Sequence, residues 1–184
     1  MNDTKKNIIN NLRYLITVLL IAFILAKIIT THIAVIALIP SESMKDTLNI
    51  NDKVLVNIIG TKFSDIKRGD IIVFRPPENT TDKEYYIKRV IGLPGDTVEI
   101  TNGIVYINGN KLKEDYVLHN DNNDYGPYNV PENSYFVLGD NRTNSYDARF
   151  WINKYVDKGS IMGKAVIIIN GNKHKIDKPN YYFQ

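Results

Sequence analysis

The first long pattern in the chain is an apolar run. Residues 15–26 (LITVLLIAFILA) carry no charge, and Lys5, Lys6 and Arg13 precede them. With the weaker flank from Ile8 the segment is about 19 residues, close to the ~20 that a helix needs to cross a bilayer. Asn10, Asn11 and Arg13 form no clear helical stripe, which argues against an amphipathic surface helix. No small-x-small pattern follows the run; Lys27, Ile28, Ile29 and Thr30 do, which argues against a cleaved signal peptide. A buried core helix is a further competitor. The anchor is the preferred reading. The basic residues on its N-terminal side place the N-terminus in the cytoplasm and everything after Lys27 outside.

Beyond the run the period changes. Residues 28–39 are still apolar but rich in β-branched types, and read as a strand at the membrane surface. From residue 40, short β-branched or aromatic runs alternate with Gly, Pro, Asn and Asp. They fall at 52–59, 70–75, 84–92, 96–100, 103–109, 134–140 and 163–170. Asn102-Gly103 and Asn108-Gly109 are hairpin signals. Short helical pieces are expected only at 147–151 and 156–158. The pattern predicts a mostly β domain of barrel or sandwich type, residues 28–184, behind a membrane anchor at 1–27. Residues 110–133 are the most polar stretch. They are either a surface loop or, with the hairpin before them, a small cap inserted at about 97–133.

Composition narrows the chemistry. The chain has 184 residues, a net charge of +3 and no cysteine. Disulfides, Cys-based zinc sites and a cysteine nucleophile are thereby excluded. The three histidines, His32, His119 and His174, lie far apart, so no metal is expected. Basic residues are spread along the chain, which gives nucleic-acid binding no support.

Three segments carry candidate chemistry: IPSESMKDTL (39–48), YYIKRVIGLPGD (85–96) and LGDNRTNSYDARFW (138–151). Lys88 and Arg89 are adjacent in a predicted strand, so alternation puts one of them on the inner face. A lysine kept from water loses basicity and becomes a competent general base near neutral pH. A serine hydroxyl beside such an amine is an activated nucleophile. Taken singly, each segment reads as readily as a turn serine and a solvent-facing lysine.

Taken together and in order after one apolar span, they closely resemble bacterial type I signal peptidases of the small, Gram-positive-like form. The resemblance covers nearly the whole chain, including GDIIVF at 69–74. It implies a membrane-bound serine endopeptidase that needs no cofactor and removes signal peptides from exported preproteins after small-x-small sites. Its partners would be those preproteins and membrane lipid. By the resemblance Ser43 is the nucleophile and Lys88 the general base. Ser41 and the backbone N–H of Ser43 form the oxyanion hole, and Ser145 hydrogen-bonds and orients the lysine amine. Asp140, Asn141, Arg142, Asp147 and Arg149 support the arrangement. Ile39, Met44, Leu48, Tyr86 and Ile87 line shallow pockets for small residues at the first and third positions before the cut. The substrate adds as an extended strand beside the segments that precede Ser41 and Lys88.

Four positions depart from the family pattern. Glu42 stands where Gly is frequent, Asp46 where Pro is usual, Thr143 where Asp is common and Ala148 where Ser is common. The self-cleaving repressor type of Ser/Lys protease would carry a DNA-binding domain in place of the span. An anchored β-domain without catalysis would have no need to pair Ser43 with an inward lysine, so their separation discriminates.

Overall fold

The computed structural model describes residues 3–77, 85–170 and 172–176. A helix, α1, runs over Asp3–Ile28 and continues as a π-helical turn over Ile29–Ile33. The helical run Lys6–Ile33 is long and apolar enough to cross a membrane, and none of it is buried against the rest of the chain. The strand expected over 28–39 is shorter. Strand β1 covers Ala34–Leu38 only, opposite β2 (Lys53–Asn57), with Ala34 paired to Asn57. β2 ends at that residue, so 28–33 have no strand beside them and stay helical, with Ile33 O accepting from Ile58 and Ile59 N–H just beyond β2. A four-residue helix, α2 (Gly60–Phe63), follows β2 and was not expected.

The predicted β runs become β3 (Ile71–Phe74), β4 (Tyr86–Gly92), β5 (Thr97–Thr101), β6 (Ile104–Ile107), β9 (Ser134–Leu138) and β11 (Ile161–Asn170). Glu84, the first residue of the predicted 84–92 run, lies outside the described residues. The remaining strands are short: β7 (Asn110–Lys111), β8 (Tyr125–Asn129), β10 (Val156–Asp157) and β12 (Asn172–Lys175). Two of them, β7 and β8, arise within the polar stretch. The two helical pieces are corrected. Residues 147–151 form a turn, with Phe150 N–H and Trp151 N–H both donating to Asp147 O. Residues 156–157 pair with β9, and a 3-10 turn follows over Lys158–Ser160.

The main sheet has the order β1-β2-β11-β3-β4-β9-β10, with β12 paired to β11. A second sheet, β7-β6-β5-β8, is inserted in chain order between β4 and β9. Its hairpins turn on Asn102-Gly103 and Asn108-Gly109, where all four residues have positive φ (49°, 73°, 52° and 78°). That pair of left-handed conformations matches the twist of the strands it joins.

Two cores flank the main sheet. One holds Ile72, Phe74, Val90, Phe136, Leu138 and Trp151, and takes in Val98, Ile100, Val105 and Ile107 from the second sheet. The other holds Ile39, Met44, Leu48, Val54, Val56, Ile71, Val73 and Ile87. Neighbours on β3 alternate between the two, as period-2 side chains on a doubly covered sheet must. This settles the fate of β4. Lys88 pairs with Ile72 and Arg89 with Ile71, so the two cations lie on opposite faces and both are buried. The expectation that only one would be buried assumed a single covered face.

Candidate active site

The loop that carries Ser43 is pinned at both ends. Ile39 N–H donates to Asp52 O and Asn51 N–H to Ile39 O, while Leu48 N–H donates to Met44 O. Met44 and Leu48 anchor it in the second core. Asn141 fixes its crest: its N–H donates to Ser43 O over 3.1 Å, and its Nδ2 donates to Glu42 O over 3.1 Å. Asp46, the usual proline position, has φ +72°. A proline ring holds φ near −65°, so this turn is closed to the family's residue. The acidic side chain there instead reaches His119, with Oδ2 2.9 Å from Nε2.

Lys88 Nζ lies 2.7 Å from Ser43 Oγ, and the lysine is 5% exposed. Burial lowers its pKa from 10.5 to about 8. The carboxylates of Asp147 and Asp140 act in the opposite sense, and Arg149 again lowers it. Desolvation prevails because water is the better host for an ammonium. Ser41 Oγ lies 3.4 Å from Ser43 Oγ, and both serines line the same cleft. Tyr86, whose ring centroid is 5.8 Å from the amine, joins Phe74 and Trp151 in an aromatic cluster beside it.

The five supporting residues sit in a network of hydrogen bonds and ion pairs. Arg89 Nε and Nη2 donate to the two oxygens of Asp140 over 2.8 and 2.6 Å, and Thr47 Oγ1 donates to Asp140 Oδ2 over 2.6 Å. Thr47 thereby ties the serine loop to β4. Arg142 donates to both oxygens of Glu114, and Arg149 to Asp147 and Asp121. The Arg89 guanidinium lies 4.0 Å from the Tyr116 ring centroid. Glu114, Tyr116 and Asp121 all come from the polar stretch, so these three side chains pack on Arg142, Arg89 and Arg149 while most of the stretch stays exposed. Asp147 Oδ2 also accepts from Gly139 N–H at 2.9 Å. Gly139 is required by space: a Cβ there would lie 2.2 Å from Ser145 Oγ and 2.5 Å from Ser43 O.

Two expectations are corrected. The Ser145–Lys88 hydrogen bond is not made. Ser145 Oγ is buried without a hydrogen-bond partner: the serine packs against Gly139 while the amine faces Ser43. The pocket set also divides. A cleft of about 620 Å³ opens over the Ser43–Lys88 pair, lined by Pro40, Ser41, Glu42, Tyr85, Tyr86, Ile87, Asn144 and Tyr146. Tyr86 and Ile87 are therefore on its wall. Ile39, Met44 and Leu48 are buried in the second core and do not line this cleft. Tyr85, Asn144 and Tyr146 were missed; adjacency to Tyr86 and Ser145 was the signal for them. Among the described residues no group of three or more His, Asp or Glu could hold a metal ion.

Residues 12–170 match the family model described as signal peptidase, peptidase S26. The chain belongs to the signal peptidase family. Among its relatives, signal peptidase I of Leptolyngbya laminosa is 47% identical over 152 residues, covering 80% of this chain and 74% of the relative. Signal peptidase I P of Bacillus subtilis subsp. natto is 37% identical over 178 residues, covering 91% and 94%. A crystal structure of a signal peptidase I from Enterococcus faecalis V583 is 38% identical, with a TM-score of 0.47. It covers 55% of this chain and 97% of that one. The membership makes the chain a serine endopeptidase with signal peptidase I activity. Its N-terminal apolar helix is compatible with membrane anchoring.

Proposed function

We propose that this signal peptidase cuts exported preproteins with Ser43 as nucleophile and Lys88 as general base. The observation that carries the assignment is the 2.7 Å contact between Ser43 Oγ and a buried amine whose pKa is lowered to about 8. As Ser43 Oγ attacks the scissile carbonyl carbon, its proton passes to the uncharged amine of Lys88. The tetrahedral oxyanion is received by the Ser41 hydroxyl and the Ser43 backbone N–H. Collapse breaks the C–N bond, and the Lys88 ammonium returns the proton to the departing amine of the mature chain. Lys88 then deprotonates a water that attacks the Ser43 ester, releasing the signal peptide as a carboxylate and restoring the hydroxyl.

The substrate lies extended along the Tyr85–Ile87 wall, its backbone paired there and its small side chains turned toward Tyr86 and Ile87. Shallow walls explain a small-x-small rule, since larger side chains would clash. Asp140, Asn141, Arg142, Asp147 and Arg149 hold the serine loop and β4 in register. The N-terminus is cytoplasmic, one span crosses the membrane and the β domain works at its outer face, as the basic residues before the apolar run favour.

Processing of a preprotein by detergent-solubilised protein, with the cut mapped by mass spectrometry, tests the reading. Ser43→Ala and Lys88→Ala each lower the rate by at least ~10³-fold while the circular dichroism spectrum is kept. Lys88→Ala processing near the wild-type rate would sink the mechanism.

A further inference from the structure

Among the described residues, Glu42 is the one acidic side chain on the wall of the Ser43–Lys88 cleft. It sits between the two serines whose hydroxyls lie 3.4 Å apart, and it is held there. Its backbone carbonyl accepts from Asn141 Nδ2 over 3.1 Å, and its Oε2 accepts from Asn144 Nδ2 over 3.3 Å. Asn144 is itself a cleft residue. The cation beside Glu42 neutralises it poorly: Lys45 Nζ is 3.9 Å from Oε1, and the two side chains are 44% and 45% exposed. Exposed pairs at that separation are weak and mobile. A localised carboxylate therefore biases the cleft while Lys88 is in its uncharged, working form.

Among the described residues of the cleft wall, Tyr85, Tyr86 and Ile87 are uncharged. On the reading proposed above, on which this inference rests, the chain before the cut occupies that wall. The chain after the cut then leaves past Ser43, along Glu42 and Asn144. We propose that Glu42 is a specificity-determining residue that reads the charge of the first residue after the cut. It favours a basic or neutral side chain over an acidic one there, by attraction in one case and like-charge repulsion in the other.

The test uses the full chain in detergent and three peptides that differ only in the residue after the cut: Lys, Gln or Glu. In the wild type, kcat/KM falls from Lys through Gln to Glu, about five- to tenfold between the extremes at low salt. The spread shrinks toward one near 1 M salt, where the Debye length is ~3 Å. In Glu42→Gln the three peptides converge, and in Glu42→Lys their order inverts. Because each comparison is a ratio within one protein sample, the fraction of folded variant cancels. A wild-type Lys/Glu ratio within twofold of one at low salt overturns the proposal, and so does a Glu42→Gln variant that keeps the full spread. Cleavage of the Gln peptide, and its loss in Ser43→Ala, reports on the dyad separately: cleavage that follows the dyad but ignores the charge removes Glu42 alone from the account.

Discussion

Lys88 is the residue on which pH should act. Its pKa of about 8 lies below the ordinary lysine value because it is buried. The proposed base is the uncharged amine, which is the minority form below that pH and the majority form above it. The sign therefore follows: kcat/KM on an uncharged peptide rises with pH, about tenfold per unit on the acid limb, and reaches half its plateau near pH 8. A pH–rate profile that stays flat from pH 6 to 9 would show that this amine does not carry the proton. At this scale the sequence was informative about types and order. Ser43 and Lys88 lie in short local motifs, and adjacency with Arg89 already demanded an account of two cations in one strand. What it withheld was contact. A separation of 45 residues along the chain says nothing about 2.7 Å in space. The same limit explains Ser145, whose hydroxyl faces Gly139, and the turn residues Met44 and Leu48, whose apolar character fits a pocket wall and a core equally well.

Elements position these residues through close backbone packing, and Gly139 is where that packing meets the Ser43 loop. It follows β9 directly and leaves no room for a methyl group, since the nearest atoms include the backbone carbonyl oxygen of Ser43. Gly139→Ala is expected to shift the Ser43 loop. Overpacking of this kind costs about 1–3 kcal/mol of stability. A displacement near 1 Å at a reacting atom costs about 10²-fold in rate. Thermal melts and preprotein kinetics on the same sample separate the two effects; wild-type kcat with a lowered melting temperature would refute the positional argument. The strands themselves were legible, because β-branched runs and Asn-Gly turns are local signals. Strand partners were not. The order β2-β11-β3 joins segments from both ends of the domain, and the short strands β7 and β8 are too polar to announce themselves. The early end of the predicted strand at 28–39 has the same origin: residue type suggested extension, but pairing at Ala34 decided where it begins.

At the scale of the molecule, the helix and the β domain are separable. No part of the Lys6–Ile33 run is buried against the domain, so the helix contributes length and greasiness rather than core. A chain starting at about residue 34 should therefore be released from the membrane fraction under alkaline carbonate, while the full chain is retained. Its melting temperature should match that of the full chain in detergent to within a few degrees. Failure of the shortened chain to fold would mean that the helix does stabilise the sheet. The apolar run and its flanking charges made this division readable from the sequence alone, since hydropathy over ~20 residues is a signal no folding step can rearrange.

The second sheet follows the opposite logic. Glu114 and Asp121 neutralise Arg142 and Arg149, and the Tyr116 ring covers Arg89. Cutting out residues 97–129 to make a smaller enzyme would leave Arg142 without its carboxylate, Arg149 with Asp147 alone and Arg89 without its aromatic cover, and a buried charge that loses its partner is costly. A minimal version of this protease would have to exchange its arginines before it could discard its smaller sheet.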